Sequence, residues 1–262
     1  HQGYSNKGIH MTQKPLRLSL VTYNIHKGFS GLGKKFLLPE MRQALVELDT
    51  DFVFLQEVQG LHHRRARRVT HWPEGLQSDY LAADTWPYHI YAKNAVYQAG
   101  HHGNAILSKF PFVHYENINI SARHRASRSI LHAQVALPHI QRNLHLLCVH
   151  FGLFKNERAA QYQTLLKRIQ EVVPEHEPLL MAGDFNDWQL HLSQPLAQEL
   201  NLTEAFYHCY GQHTRSFPAL KPTLCMDRIY FRGINLIKAQ CFKEKPWRTL
   251  SDHLPLSAWF DI

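Results

Sequence analysis

A chain of 262 residues, 44% of them hydrophobic, can bury a large core, and it contains no run of about 18 apolar residues that would span a membrane. Its formal charge of +8 indicates an anionic partner, such as nucleic acid or an acidic lipid surface. Composition therefore excludes a helical membrane span and gives the sign of the partner's charge, but not its identity.

The chain is predicted to form a single domain over residues 11–262, because no segment rich in proline, glycine or serine divides it. Residues 1–10 precede Met11 and are predicted to be the remnant of an expression tag, outside the fold. The four cysteines form no C-x-x-C pair and no zinc-binding spacing, which indicates reduced thiols and a cytoplasmic protein. A leader peptide removed earlier would leave no trace in these residues.

The first predicted strand, Leu18–Val21, is followed by a glycine-rich segment, Gly28–Lys35, that comes close to a phosphate-binding P-loop. A P-loop needs serine or threonine after its lysine to hold magnesium, and Lys35 occupies that position. The helix of a P-loop should also begin at once, yet Phe36–Pro39 intervenes before the next apolar pattern. A flexible glycine loop at the rim of a site fits the sequence better.

The apolar run Phe52–Leu55 is typical of a strand covered on both faces, and Glu57 follows at its end. The next segment, His62–His71, is dense enough in positive charge to contact a polyphosphate backbone, with a solvated loop as the alternative. Its four arginines are Arg64, Arg65, Arg67 and Arg68. A short helix at Gly75–Ala83 and a strand at Tyr88–Tyr91 are predicted next.

Two hairpins are predicted in the middle of the chain, which favours mixed or largely antiparallel sheets. The first would pair Gly103–Ser108 with Phe112–Ile120, and the second would pair Ile130–Leu137 with Leu144–Val149. A second basic cluster before the third of these strands consists of Arg123, Arg125 and Arg128. For Arg128 we favour contact with phosphate over an exposed edge charge, because the planar fork of arginine suits phosphate.

The C-terminal half begins with the clearest helical pattern, Asn156–Val173, whose apolar residues recur every three and four positions. Three strand-like segments close the chain at Met226–Phe231, Ile234–Phe242 and Leu254–Phe260. From this order of elements we predict an α/β or α+β fold with two sheets.

Several apolar runs end in, or lie next to, polar residues that could bind metal or move a proton. Asp184 and Asn186 follow one such run at alternate positions, so their side chains would point the same way on an extended chain. An Asx-rich turn is the alternative for this pair alone. Strand ends that carry such groups converge on one edge of a sheet, where α/β proteins keep their sites. The full set is Asn24, Glu57, His150, Asp184, Asn186, Asp252 and His253.

The motifs, in chain order, are Thr-Tyr-Asn24, Leu-Gln-Glu57-Val, Gly103-Asn-Ala-Ile-Leu-Ser108, Val-His150, Gly-Asp184-Phe-Asn186, Asp227-Arg-Ile and Ser-Asp252-His253. Each motif is weak alone, but the ordered set resembles the endonuclease/exonuclease/phosphatase superfamily and covers the chain from Leu18 to Ile262. The resemblance implies a four-layered sandwich, with two mixed β-sheets packed face to face, helices outside and the site at one end.

The resemblance also implies hydrolysis of a phosphodiester by an activated water, with Mg²⁺ or Mn²⁺ as cofactor. Such ions prefer oxygen ligands, which Asn24 and Glu57 would supply, with Asp252 nearby. Asp184 would orient or deprotonate the water, and Asn186 would hold a phosphate oxygen or Asp184 itself.

Two histidines would complete the reaction centre. His253 would stabilise the transition-state oxygens, while Asp227 pairs with its other ring nitrogen and favours the imidazolium form. His150 would face the phosphate from the opposite side. The predicted substrate contacts are Asn104, Arg128 and the arginines Arg64, Arg65, Arg67 and Arg68.

Two details bear on the substrate. Val149-His150 departs from the Tyr/Asn-type motif of abasic-site endonucleases and is similar to the deoxyribonuclease, sphingomyelinase and inositol-phosphatase branches. The opening Asn24-Ile-His-Lys-Gly28 resembles an uncharacterised bacterial subgroup. We predict a monomeric phosphodiesterase that acts on nucleic acid, with phospholipid or phosphoinositide head groups as the alternative substrate. A non-catalytic anion-binding protein of the same fold and a P-loop NTPase are the alternatives from other classes.

Overall fold

The computed structural model describes residues 14–97, 100–121, 128–138 and 140–262, with the backbone alone at 94–97. The predicted tag remnant at residues 1–10, and Arg123 and Arg125 of the second basic cluster, lie outside the described residues. Among the described residues, no helix combines the length and the apolar character that crossing a membrane requires.

Two six-stranded sheets form the core of the protein. The first has the spatial order β11 (Asn235–Cys241), β12 (Leu256–Asp261), β1 (Arg17–Asn24), β2 (Phe52–His62), β4 (Gly100–Ser108) and β3 (Tyr88–Tyr97). The second has the order β5 (Phe112–Asn119), β6 (Ser129–Ala136), β7 (Asn143–His150), β8 (Leu179–Asp184), β10 (Asp227–Arg232) and β9 (Thr203–Glu204). Both sheets are mixed, because β1–β2 and β7–β8 are parallel while the other pairs are antiparallel.

Helices cover the outer faces of both sheets. Their bounds are α1 (Leu38–Leu48), α2 (His63–Arg68), α3 (Gln77–Ala82), α4 (Lys155–Val172), α5 (Ser193–Leu200), α6 (Ala205–Tyr210) and α7 (Trp247–Leu250). One apolar cluster fills the space between the sheets, a second lies under α1 and α3, and a third lies under α4 and α5. The predicted four-layered sandwich is confirmed.

The apolar strands have two buried faces. Leu18 and Leu20 of β1 belong to the cluster between the sheets, whereas Val21 and Tyr23 belong to the cluster under the helices. Alternate residues of a strand point to opposite faces, so a central strand of a covered sheet must be apolar at both sets of positions. Continuous hydrophobic runs in this sequence therefore mark central strands.

Three sequence-based predictions need correction. Gly103–Ser108 and Phe112–Ile120 do not form a hairpin: β4 pairs with β2 and β3, so both of its edges are taken, and the chain crosses to the other sheet before β5. The strand that begins at Phe52 continues through Glu57 to His62. The arginine-rich segment is not a loop throughout, since α2 occupies His63–Arg68. The second predicted hairpin, β6 with β7, is confirmed.

Candidate active site

Three neighbouring strands of the second sheet bring polar residues together at one edge. In the register of the sheet, Asp184 at the end of β8 is paired with His150 at the end of β7. On its other side, Asp184 is paired with Asp227, the first residue of β10. Asn24, at the end of β1, reaches this edge from the first sheet and donates from Nδ2 to Asp184 Oδ2 over 3.1 Å. The two sheets therefore meet at Asp184.

The carboxylate of Asp184 is the centre of the arrangement. Besides Asn24, its Oδ2 atom lies 3.5 Å from His150 Nε2 and 3.6 Å from His253 Nε2. Its Oδ1 atom accepts a hydrogen bond of 3.0 Å from the backbone N–H of Asn186. Burial raises the pKa of Asp184 to about 7, although the neighbouring His253 opposes this rise. A carboxyl group with such a pKa exchanges protons near neutral pH.

The end of β8 and the turn that follows it contain two residues with positive φ, Gly183 and Asn186. A Cβ atom on Gly183 would lie 2.0 Å from the carbonyl oxygen of Val149, so only glycine lets β8 approach β7 this closely. Asn186 has φ +47°, a left-handed conformation that asparagine tolerates better than most residues. Because β8 ends at Asp184, the expected strand alternation does not extend to Asn186, whose Nδ2 instead donates to the Phe151 carbonyl over 2.7 Å.

His253 and Asp227 form a buried pair beside this carboxylate. His253 Nδ1 lies 2.7 Å from Asp227 Oδ2, and Ser216 Oγ donates to the same oxygen over 2.6 Å. Burial alone would lower the pKa of His253, but Asp227 and Asp184 outweigh it and raise the pKa to about 10. The ring is therefore an imidazolium cation at neutral pH, and its Nε2–H faces Asp184.

Glu57 lies on a β-bulge in β2, where the register with β4 shifts between Leu55 and Val58. Its φ of +52° is uncommon for a residue with a side chain and is typical of functional sites. Desolvation would raise the pKa of Glu57, but His150, His253, the Asn24 amide and Lys27 together hold it near 2. Glu57 is therefore an ionised carboxylate.

Asp252 lies next to this group in the chain segment before β12. Its Oδ2 atom is 3.9 Å from His26 Nε2, and burial raises its pKa. The hydroxyl of Ser251 donates to the Asn24 backbone carbonyl over 2.7 Å, which links this segment to the end of β1. Asn24 Oδ1 accepts one bond, from the His26 backbone N–H at 3.1 Å, and keeps a second lone pair.

These oxygen donors fit a hard divalent cation. Mg²⁺ prefers carboxylate and amide oxygens with retained waters, which matches the donor set of Glu57, Asn24 and Asp252. Among the described residues, Asp184, Asp227 and His253 also place ligand atoms within 4.8 Å of one another. That cluster fits a cation less well, because the protonated ring of His253 has no lone pair to offer.

The predicted substrate contacts lie in different surroundings. The Nε of Arg128 is buried and has no hydrogen-bond partner among the described residues, and its charge helps burial to lower the pKa of His150 to about 3. The amide of Asn104 is turned inward and donates to the Ser129 and Cys148 carbonyls over 3.0 and 3.4 Å. Arg128 therefore offers an N–H to a ligand, whereas the amide hydrogens of Asn104 already have partners.

The arginine helix α2 follows β2 directly. Arg65 is half-buried: it donates to Gln59 Oε1 over 2.9 Å, and its guanidinium lies 4.8 Å from the ring centre of Phe29. The other three arginines, Arg64, Arg67 and Arg68, are exposed. The helix thus carries three exposed arginines, of which Arg67 donates from Nε to the His63 carbonyl over 3.3 Å, and one half-buried arginine.

Sequence reasoning missed several residues at this site. Ser251 could have been suspected, because it adjoins Asp252 and His253, whereas nothing in the sequence connects Ser216 to Asp227. Lys27 precedes the P-loop-like motif and ends no apolar run that would mark it, although its charge lowers the pKa of Glu57. Contacts made across separate loops leave no local pattern.

The comparisons with known proteins agree with the fold. Residues 21–253 match the family model described as Endonuclease/Exonuclease/phosphatase family. The chain is 40% identical to the uncharacterized protein YbhP of Escherichia coli strain K12 over 239 residues, which are 91% of this chain and 94% of that protein.

Solved structures show the same architecture. An endonuclease/exonuclease/phosphatase from Beutenbergia cavernae superposes with a TM-score of 0.72 at 17% identity, over 94% of this chain and 72% of that one. D. rerio TDP2, in a complex with a single-strand DNA product, gives a TM-score of 0.67 at 20% identity, over 94% of this chain and 99% of that one. The family model and the relative together show that this chain belongs to the endonuclease/exonuclease/phosphatase family.

Proposed function

We propose that this protein is a Mg²⁺- or Mn²⁺-dependent phosphodiesterase in which an activated water attacks the phosphorus. The observation that carries this proposal is the surroundings of Asp184. One buried carboxyl with a pKa of about 7 lies within 3.6 Å of an amide, a neutral imidazole and an imidazolium. Family membership supports hydrolysis of phosphoester bonds as the general chemistry.

Glu57 and Asn24 would hold the metal ion, with Asp252 nearby, because they present the hard oxygen atoms that such ions prefer. When bound, the ion would neutralise charge on the phosphate oxygens. The backbone strain at Glu57, with φ +52°, supports this assignment, since strained residues cluster where function fixes their position.

Asp184 would accept the proton of the attacking water. Its ionised form is populated at and above neutral pH, and the Asn24 amide and the Asn186 backbone N–H fix the orientation of its two oxygens. Asn186 would act mainly by holding Asp184, because its own amide donates to the Phe151 carbonyl. The proton would pass from water to Asp184 Oδ2, the oxygen that faces the histidines. At the same time the bond from phosphorus to the leaving oxygen would break, and that oxygen would take up a proton from solvent.

Positive charge beside Asp184 would stabilise the oxygens of the transition state. His253 is an imidazolium whose Nδ1–H is held by Asp227, which leaves Nε2–H directed towards the reaction centre. The buried Arg128 Nε–H offers a further donor to a phosphate oxygen. His150 is neutral and would contact the phosphate from the opposite side as a hydrogen-bonding group.

The test of this proposal is hydrolysis of bis-p-nitrophenyl phosphate. We expect turnover with Mg²⁺ or Mn²⁺, loss of turnover in excess chelator, and recovery when the metal is returned. Turnover that persists in excess chelator would exclude the metal-dependent reaction. Absence of hydrolysis with every metal, together with binding of the diester, would identify a non-catalytic anion-binding protein, and ATP turnover would favour the P-loop alternative.

For the substrate we propose nucleic acid, because α2 places four arginines directly after the strand that carries Glu57. Four arginines that neutralise four phosphates should give a log-affinity versus log-salt slope of about −3 to −4. We expect replacement of all four by serine to weaken oligonucleotide binding and to flatten that slope.

A phospholipid head group remains the alternative substrate, and the same fourfold variant separates the two. If the arginines meet an anionic membrane surface, the variant should lose binding to anionic vesicles while oligonucleotide binding hardly changes. No change with either ligand would leave α2 a solvated helix without a role in substrate binding.

A further inference from the structure

A cavity of about 570 Å³ opens next to Asp252, outside the group of catalytic candidates. Three chain segments form its walls: the glycine-rich segment 30–35, the loop 218–221 and the segment 246–252. Its size is that of a pocket for a small molecule or for one substituent of a larger one. Asp252, which lies near the proposed metal ligands, is one of its lining residues, so the cavity adjoins the candidate metal site.

The three walls are fixed against one another by close backbone contacts. A Cβ atom on Gly31 would lie 3.3 Å from the Ser251 carbonyl oxygen and 3.4 Å from Asp252 Cα, so the glycine allows the first wall to pack directly on the third. The backbone N–H of Ala219 donates to the Asp252 carbonyl over 2.8 Å and joins the second wall to the third. The cavity is thus built by the fold rather than by loose loops.

The P-loop-like motif forms the first of these walls. Its ends are held by an antiparallel bridge between Phe29 and Phe36, and Ser30 N–H donates to the Lys35 carbonyl over 2.8 Å. Phe36 stacks on Trp72 with ring centres 5.1 Å apart, and Phe29 lies 6.4 Å from the same ring. Phe29 and Phe36, at the two ends of the motif, thus pack on Trp72, while residues between them line the cavity.

The lining of the cavity is mainly aliphatic. Leu32 belongs to the first wall and Leu220 to the second, and they remain 74% and 54% exposed, so both present apolar surface to a ligand in the cavity. Leu37 and Leu250 extend the apolar lining, and none of the described lining residues is aromatic. Bases bind to such sites by stacking on aromatic rings, so this cavity is not suited to a nucleobase.

Charged groups lie among the lining residues. Lys34 and Lys35 are exposed on the first wall, and Arg248 donates from Nη2 to the Leu220 carbonyl over 3.1 Å. Glu40 and Asp252 are the acidic residues of the lining, and Asp252 belongs to the candidate metal site. The combination suits an anionic phosphate attached to an uncharged chain.

We infer that the cavity receives an aliphatic substituent of the phosphodiester whose phosphate lies between Glu57 and Asp184. The inference rests on the proposed phosphodiesterase reaction and favours the alternative substrate of that proposal over nucleic acid: a phosphodiester that carries an alkyl or acyl chain. Leu32 of the first wall and Leu220 of the second would cover the chain, and Lys34 and Lys35 would attract the anion. The shared chemistry is that of a free alkyl phosphodiester and of a lipid head group with its first methylenes.

Binding of dialkyl phosphates tests the cavity without relying on turnover. We expect the affinity of the Mg²⁺-loaded protein, measured by titration calorimetry, to rise from dimethyl to dibutyl to dihexyl phosphate. Burial of one chain should give about a threefold to fourfold gain for each added methylene. Equal affinity for all three diesters would overturn the inference.

Two surface variants connect this gain to the cavity. Leu32→Gln and Leu220→Gln replace exposed side chains and should flatten the dependence on chain length. Ile237→Gln is the matched control, because Ile237 is 45% exposed on β11 and does not line the cavity. If affinity still depends on chain length in both leucine variants, or if the control loses this dependence equally, the assignment of the cavity to an aliphatic chain is contradicted.

Hydrolysis of alkyl p-nitrophenyl phosphates separates the inference from the proposed function. Binding that depends on chain length without any hydrolysis would support the aliphatic assignment of the cavity and reject the phosphodiesterase activity. Hydrolysis at a rate that does not depend on chain length would support the activity and reject the assignment. Phosphatidylglycerol vesicles identify the source: loss of their hydrolysis in both leucine variants supports a lipid. A dinucleotide that binds as tightly as dihexyl phosphate and is weakened equally by Leu220→Gln would overturn the aliphatic assignment.

Discussion

Two buried histidine–carboxylate networks in this protein hold their histidines in opposite protonation states. The strand-end network consists of Asp184, Asp227 and His253 at the candidate active site. The sheet-face network lies under α4 on the second sheet and consists of Glu116, His132, His145 and Glu177. Burial and carboxylate neighbours are common to both, yet the pKa of His253 rises to about 10 while that of His132 falls to about 4.

The sheet-face network is a chain of hydrogen bonds. His132 Nε2 and His145 Nδ1 are 2.9 Å apart, and His145 Nε2 is hydrogen-bonded to the Glu177 carboxylate. Glu116 lies 3.6 Å from His132 Nδ1, but Arg168 already holds that carboxylate with two bonds of 3.0 and 2.7 Å. Burial also lowers the pKa of His145.

The difference follows from the number of uncompensated charges. His253 contacts one carboxylate at 2.7 Å and a second at 3.6 Å, and together they outweigh its desolvation. His132 has one carboxylate, which is shared with an arginine, and its other neighbour is a second histidine. Burial therefore keeps the sheet-face histidine neutral, whereas two carboxylates overcome burial and keep the strand-end histidine cationic. The first state suits a structural role and the second suits catalysis.

The largest expected difference between the networks is in turnover. We expect Asp184→Asn and His253→Ala each to lower kcat by a factor of about 10²–10⁴, because each removes a group that moves a proton or stabilises the transition state. His145→Gln should leave kcat near the wild-type value. The measurement is kcat on bis-p-nitrophenyl phosphate, with circular dichroism as the check that each variant is folded. Near-normal kcat in either strand-end variant would reject the role of that residue.

A smaller effect is expected on stability at the sheet face. His145→Leu leaves Glu177 without a hydrogen-bond partner on the ring and removes the partner of His132, which should cost about 1–3 kcal/mol of unfolding free energy. Urea denaturation at pH 7 measures this loss. Unchanged stability would mean that water replaces the lost bonds and that the network does not stabilise the sheet.

The two networks should also give opposite dependences of stability on pH. The pKa of His253 is higher in the folded state than its ordinary value of about 6.5, so its contribution is complete below about pH 6.5 and is lost as pH rises through about 10. The pKa of His132 is lower in the folded state, so its contribution is present above about pH 6.5 and is lost as pH falls towards 4.

Unfolding free energies at pH 5, 7 and 9 test this opposition. One proton taken up or released on unfolding gives a slope of up to about 1.4 kcal/mol per pH unit. His132→Gln should flatten the curve on the acid side, and His253→Gln should flatten it on the alkaline side. If both variants flatten the curve of unfolding free energy on the same side of neutral pH, the assigned protonation states are contradicted.

The sequence predicted the strand-end network better than the sheet-face network. Asp184 and His253 adjoin apolar runs that form strands, and strand ends converge, so local patterns were enough to bring these residues together. His132 and His145 lie inside strands at positions where apolar residues are expected, and only the pairing of β6 with β7 shows that their rings meet. A contact between neighbouring strands has no counterpart in the spacing of either segment.

Backbone irregularities limited the sequence-based prediction at Glu57 and at β4. The apolar run at Phe52–Leu55 predicted a strand, but the bulge that carries Glu57 is set by pairing with β4, which is distant in sequence. The hairpin predicted for β4 and β5 failed for a similar reason, since β2 and β3 compete for the edges of β4. The glycine-rich segment predicts a loop at the rim of a site, whereas its packing on Ser251 depends on the fold.

The metal ion is expected to bind at Glu57 and Asn24, near Asp252, and at neither histidine network. Binding of Mn²⁺, followed by electron paramagnetic resonance alongside hydrolysis, tests this most directly. Glu57→Gln should weaken Mn²⁺ binding by about tenfold or more, since even outer-shell partners of a metal contribute 10–100-fold, and hydrolysis should fall with it. His145→Gln should bind Mn²⁺ as the wild type does. Wild-type Mn²⁺ affinity and turnover in Glu57→Gln would contradict the proposed metal site.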